Sequence, residues 1–153
     1  MALDLQLREL VDTDFPALHE LQRDETGARM AAFGTRDGSA AELAARWRGS
    51  SANGRAIVVD GAVVGFVASF SLEGKPQVTY WIARAHWGRG IASAALAMFL
   101  TQLPVRPLYA SAAKDNLGSL RVLQKCGFTV RGSAQAFASA RGQDVEEVFL
   151  QLD

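Results

Sequence analysis

The segment Trp87-Gly-Arg-Gly-Ile-Ala92 contains the residue types that holding a phosphate requires. Glycines at 88 and 90 let the backbone bend tightly and approach a ligand closely. The segment lies between a strand-like run and a helical one. The first amides of a helix have no partner inside it, and the helix dipole favours negative charge there. A strand–turn–helix corner of this kind can bind a phosphate or pyrophosphate through main-chain N–H groups, and Arg89 adds a cation. The dinucleotide fingerprint G-x-G-x-x-G breaks at Ser93, and position 110, about twenty residues on, is alanine where an acidic group is needed. The nucleoside-triphosphate loop G-x-x-x-x-G-K-[ST] is absent. A tight turn that binds nothing is the plain alternative for these glycines.

A second segment, Asn116-Leu-Gly-Ser119 through Lys125-Cys-Gly127-Phe128, reads as a capped helix stopped by glycine, with an aromatic residue entering a strand. Its lone cysteine, Cys126, fits a small core residue better than a nucleophile. His19 falls on a polar helix face, and His86 sits at the glycine corner. Neither has metal-ligand spacing around it, so no metal is implied.

These segments need a scaffold, and the pattern supplies one. Leu3–Arg8 alternates as a half-buried strand. Asp12 or Thr13 is placed to cap a helix with Pro16 in its first turn and Phe15, Leu18 and Leu21 facing inward. Residues 26–37 are ambiguous. Ser39 and Glu42 form a capping box ahead of Ala40, Leu43, Ala44 and Trp47, which marks a second helix. Ala56–Val59 and Ala62–Phe70 flank Asp60-Gly61, a hairpin signal, and Gln77–Ala83 follows the turn Glu73-Gly-Lys-Pro76. Ile91, Ala94, Ala95, Met98 and Phe99 then repeat with helical spacing until Pro104 and Pro107. Leu108–Ala112 is a short strand, 117–126 a helix, and Phe128–Phe137 and Val145–Leu152 are closing strands. The order β-α-α-β-β-β-α-β-α-β-β describes a mixed α/β sheet with helices on its faces. The strands before residue 90 and after Pro107 are joined through a helix and should be parallel.

With the glycine corner and the Asn116–Phe128 segment at this spacing, the chain resembles the GNAT (Gcn5-related) N-acetyltransferase superfamily over nearly its whole length. The phrase Tyr80-Trp-Ile-Ala-Arg-Ala-His-Trp-Gly-Arg-Gly-Ile-Ala92 looks especially like the Rim-type branch that acetylates ribosomal proteins and N-termini. The resemblance implies acetyl-CoA as cosubstrate, with Trp87, Gly88, Arg89, Gly90, Ile91 and Ala92 around its pyrophosphate. Ile82 and Arg84 would offer backbone groups to the pantetheine, and Asn116 and Ser119 would face its thiol end. The strand ending near residue 83 and Leu108–Ala112 should splay apart to admit the thioester. Trp87 replaces the usual Arg or Gln of the motif, so phosphate contact there falls to Arg89 and the backbone.

Acetyl transfer needs a neutral amine, although a lysine-type ammonium has a pKa of about 10.4. It also needs a donor for the developing oxyanion, which a main-chain N–H near Ile82 would supply. Acid assistance to the leaving thiol matters least, since a thiol of pKa ~8.5 already leaves tolerably. Many family members carry a tyrosine acid where this chain has Leu123. Ser119 is then the first hydroxyl to consider and Tyr80 the second. The carboxylate often found on the central strand corresponds to Gln77, which cannot take a proton. Glu73, in the neighbouring turn, is the alternative base through a water. Met30, Phe33 and Trp47 are expected to shape the acceptor side.

With 153 residues and 49% hydrophobic content, the chain has material for a single domain with one core. Sixteen basic and sixteen acidic residues give a net charge of zero, which argues against a broad basic surface for nucleic acid. No apolar run approaches the ~20 residues that cross a bilayer, and no signal peptide is visible, so a soluble cytoplasmic protein is expected. The expected activity is N-acetylation of a small-molecule or peptide amine by direct attack, without an acyl-enzyme. The alternative is an acetyl-CoA-binding sensor or interaction module that has lost turnover, motivated by the inert Leu123 and Gln77. Related domains also pair as homodimers, though no patch here can be assigned to that.

Overall fold

The structure, a computed structural model, describes residues 4–24, 53–138 and 141–153. The expected second helix and its residue Trp47 lie outside the described residues, as do Met30 and Phe33. Seven strands form one sheet: β1 (Leu5–Glu9), β2 (Asn53–Val59), β3 (Ala62–Leu72), β4 (Lys75–Ile82), β5 (Leu108–Ala113), β6 (Thr129–Ala138) and β7 (Gln143–Leu152). Their spatial order is β1-β2-β3-β4-β5-β7-β6. Helix α1 spans Phe15–Gln22, α2 Ile91–Gln102 and α3 Leu117–Lys125. The meander β2-β3-β4 is antiparallel, and β4 and β5 are the parallel pair expected from the helical crossover.

Both meander turns are two-residue loops with positive φ at each position: Asp60 and Gly61 at 51° and 84°, Glu73 and Gly74 at 53° and 78°. That conformation matches the twist of the flanking strands. Strand β4 therefore starts at Lys75, earlier than the expected Gln77, and takes in Pro76. Pro76 stands opposite Ser71, in a position whose missing N–H points away from β3. Between Ile57 and Val58 the β2–β3 register slips, leaving Val64 as the extra residue. Beside this bulge β3 comes so close to β4 that a Cβ on Gly65 would run into the Trp81 carbonyl. Only glycine fits there.

Helices α2 and α3 lie on one face of the sheet. Ile91, Ala95, Leu96, Phe99 and Leu100 of α2 are buried there with Val78, Ile82, Leu123, Phe128 and Leu150. The buried stripe is thus rotated from the expected one: Ala94 is exposed and Met98 only half-buried. Phe15 and Leu18 of α1 cover the other face against Phe66 and Ala68. Neither Asp12 nor Thr13 caps α1. A 3-10 turn at Asp12–Asp14 leads into it, and the buried Asp14 accepts hydrogen bonds from the Val11 amide and, two-fold, from Arg8. The Arg8 guanidinium holds the Asp14 carboxyl below its ordinary range.

Candidate active site

The parallel strands β4 and β5 meet at a single residue pair, Gln77 opposite Tyr109. Beyond it they diverge. The amide of Ala83 donates to the carbonyl of Val64 at 2.8 Å, which fixes the alternation of β4 against β3. Val78, Tyr80 and Ile82 then turn their main-chain groups away from β3 and toward the gap. Their side chains join the α2 side of the sheet, whereas Thr79 and Trp81 point to the α1 side. Residues of both sets line one groove of about 560 Å³, together with Ser111, Ala112, the glycine corner and α3. The splayed strands therefore leave a passage through the sheet.

At one end of the groove stands the glycine corner. Gly88 and Gly90 adopt φ of 77° and 76°, a left-handed conformation that side chains resist. Gly90 caps α2 with no side-chain hydrogen bond, and the first turn has no acidic residue. The first intrahelical bond is Ala94 N–H to Gly90 O, at 3.1 Å. The amides of Ile91, Ala92 and Ser93 have no acceptor inside the helix. The corner is tied back to β4 by Trp87, whose Nε1 donates to the Ile82 carbonyl at 2.8 Å. That bond takes one lone pair of the Ile82 oxygen.

Of the two arginines expected here, Arg89 for its charge and Arg84 for its backbone groups, neither lines the groove. Arg89 is exposed, is absent from the groove lining, and donates to Nδ1 of His86 at 3.0 Å. The Arg84 carbonyl accepts from the Trp87 amide, and its side chain pairs with Asp24 at 3.3 Å. It lies with Glu20, Leu21, Arg23 and Asp24 around a separate hollow. The cations that do line the groove are Arg121 and Lys125, one turn apart on α3. Their i,i+4 spacing beside Ser119 is visible in the sequence, but reading the helix only for its motif passed over them.

Deep in the groove, the Tyr80 hydroxyl donates to Ser119 Oγ at 3.0 Å. The two hydroxyls considered separately as acids form one pair. Burial raises the Tyr80 phenol above its ordinary pKa, so it stays protonated at neutral pH. Ser119, whose Oγ accepts that bond, lines the groove. Asn116 also lines the groove, although its Oδ1 is engaged in capping α3 through the Ser119 amide at 3.2 Å. Leu123 is 2% exposed and lends the wall no polar atom. Cys126 is absent from the lining, and burial raises its thiol pKa. Glu73 occupies the tight turn before β4, at the opposite end of that strand from Ile82, and takes no part in the groove. Among the described residues that line the groove, none is Asp or Glu, and no group of His, Cys, Asp and Glu could hold a metal.

Three comparisons bear on this geometry. The family model for the acetyltransferase (GNAT) domain matches residues 4–129. No curated protein matches. Among solved structures, spermidine N-acetyltransferase from Vibrio cholerae, in complex with CoA and spermine, superposes with a TM-score of 0.79 at 21% identity, covering 96% of this chain and 95% of that one. The ribosomal L7/L12 alpha-N-protein acetyltransferase RimL, in complex with coenzyme A, gives 0.74 at 20%, covering 97% and 94%. Protein yncA from Salmonella typhimurium, with acetyl-CoA as its cofactor, gives 0.79 at 18%, covering 97% and 93%. At these identities the likeness is one of fold. The family-model match spans both the splayed strands and the glycine corner, and by it the chain belongs to the GNAT family of acetyl-CoA-dependent N-acetyltransferases.

Proposed function

We propose that this protein moves the acetyl group of acetyl-CoA onto a primary amine by direct attack within a ternary complex. The observation that carries this reading is the continuous polar track from the unpartnered amides of α2, along β4, to the Tyr80–Ser119 pair. Acetyl-CoA supplies an activated thioester and fits such a track at each point. The amides of Ile91, Ala92 and Ser93 suit a pyrophosphate, with Arg121 and Lys125 adding positive charge. The inward amides and carbonyls of β4 suit a pantetheine arm. An amide of β4, from Val78, Tyr80 or Ile82, can stabilise the oxyanion as the carbonyl is attacked. Ser119, accepting from Tyr80, can donate its own hydrogen to the departing sulfur. The amine approaches from the Thr79 and Trp81 side of the passage. No acyl-enzyme is needed, and Cys126 is in the wrong place to form one.

The acceptor is a primary amine on a polyamine or a peptide N-terminus, the two classes named for the spermidine and RimL enzymes. The test mixes purified protein with acetyl-CoA and spermidine or an N-terminal peptide, and follows free thiol and acetylated product. Turnover with either supports the reading. Calorimetric binding of acetyl-CoA with no turnover on any amine supports instead a sensor module, which Leu123 at the groove wall would favour.

A further inference from the structure

The groove contains no carboxylate of its own, but one stands a single hydrogen bond away. Ser111, on β5, lines the groove and donates from Oγ to Oε2 of Glu147 on β7, at 2.7 Å. Continuing the register from Gln77 opposite Tyr109 by two residues would set Thr79 opposite Ser111. The strands have parted by then, so Ser111 faces Thr79 across the first step of the gap. Its side chain shares the face of Thr79 and Trp81, opposite Tyr80 and Ser119. An amine entering from that face meets Ser111 while the leaving sulfur lies toward Ser119.

Resting on the acetyltransferase reading, we propose that Ser111 and Glu147 form the relay that takes the proton from the incoming ammonium. The ammonium N–H bond breaks as its proton goes to Ser111 Oγ, and the Ser111 hydrogen passes to Glu147 Oε2. The nitrogen lone pair so freed attacks the thioester carbonyl. Collapse of the intermediate breaks the C–S bond, and the second nitrogen proton leaves to solvent while the thiolate takes a proton from water or from Ser119, which Tyr80 resupplies before solvent reprotonates the phenol. Glu147 returns its proton to solvent before the next cycle. Ser111 touches the substrate; Glu147 is a positioning residue that acts through it.

The surroundings leave Glu147 free for this. On its own face β5 offers Tyr109, Ser111 and Ala113, β6 offers Ala134 and Ala136, and β7 itself offers Val145 and Phe149. Of these only Tyr109 carries an ionisable group. Among the described residues, Lys75 of β4 sits over the Tyr109 ring, 5.2 Å from its centre, while Lys114 pairs with Glu146 at 3.2 Å and Arg141 with Asp115 at 2.7 Å. Unlike Glu73, Glu147 belongs to a strand that borders the gap-lining β5 along its length.

The experiment compares the wild type with Glu147→Gln, Ser111→Ala and Ser111→Thr across pH, with spermidine and an N-terminal peptide as acceptors. Wild-type kcat should fall on the acid side. Glu147→Gln and Ser111→Ala should lose that limb and about 100-fold in kcat at neutral pH, the lower range for a general base. Ser111→Thr, which keeps the hydroxyl, should restore most of the rate. Calorimetric affinity for acetyl-CoA should stay within two-fold in all variants, which separates lost proton transfer from lost folding (~0.4 kcal/mol for two-fold). Variants that turn over like wild type with the acid limb intact overturn the relay while leaving the transferase standing. A wild type that binds acetyl-CoA yet acetylates neither amine overturns both.

Discussion

The phenol of Tyr80 and the hydroxyl of Ser119, 39 residues apart in sequence, meet at 3.0 Å where β4 faces α3 across the groove. Because the phenol reaches the groove chemistry through the serine, their contributions should not add. Tyr80→Phe is expected to lower kcat about 10-fold and Ser119→Ala about 100-fold, the lower end of acid–base assistance. The double variant should be no slower than Ser119→Ala alone. Steady-state kinetics on the four proteins checks this, and additive losses would remove the link.

Alkaline stability should depend on the same phenol. Burial raises its folded pKa above the unfolded value of about 10. Its contribution is therefore complete below that pH and is lost as pH climbs through the higher folded value. Thermal melting of wild type and Tyr80→Phe between pH 8 and 11 should show the wild type gaining on the variant toward the low end of that range. Parallel curves would contradict it.

Acid sensitivity should trace to the Arg8–Asp14 pair that links β1 to the start of α1. The Asp14 carboxyl is lowered chiefly by hydrogen bonds from Arg8. The stability it brings is present above the unfolded carboxylate range, near pH 4, and vanishes as pH falls through the depressed folded value. Arg8→Ala leaves a buried carboxylate short of its partner and should cost about 1–3 kcal/mol at neutral pH. Urea unfolding at pH 7 and pH 3 checks both points, the difference between the proteins shrinking at the lower pH.

Gly90→Ala and Gly61→Ala make a controlled contrast. Both positions have positive φ, at 76° and 84°, and neither would bring a Cβ within 4 Å of a neighbour. Each substitution should therefore cost about 1–2 kcal/mol through backbone strain alone. Only Gly90→Ala disturbs the amides at the start of α2, so only it should weaken acetyl-CoA binding, by about 10-fold. Denaturation and calorimetry on the pair decide it.

The elements were legible because their signals are local. Asp60-Gly61 announces its turn by residue type, and α2 announces itself as a helix by apolar residues three and four apart. What escaped depends on contacts made at a distance. Asp14 is chosen over Asp12 and Thr13 by Arg8 on β1, which no capping rule foresees. The burial of Leu96 and Leu100 in place of Ala94 and Met98 depends on how α2 rolls against the sheet. Glu73 drew attention by its proximity in sequence to the central strand, but its turn points the chain away from the gap. Glu147 passed unnoticed for the opposite reason: it reaches Ser111 across strands 36 residues apart. Asn116 and Ser119 were named from motif, and the cap of α3 was legible beside them; that Ser119 meets Tyr80 appears only once the chain is folded.

The lone Gln77–Tyr109 pairing leaves the molecule as two panels sharing a seam. Four strands sit on one side and three on the other, and beyond that pair no ladder bond among the described residues joins them. Any chain-like guest laced along β4 would work as a splint, carrying load from panel to panel.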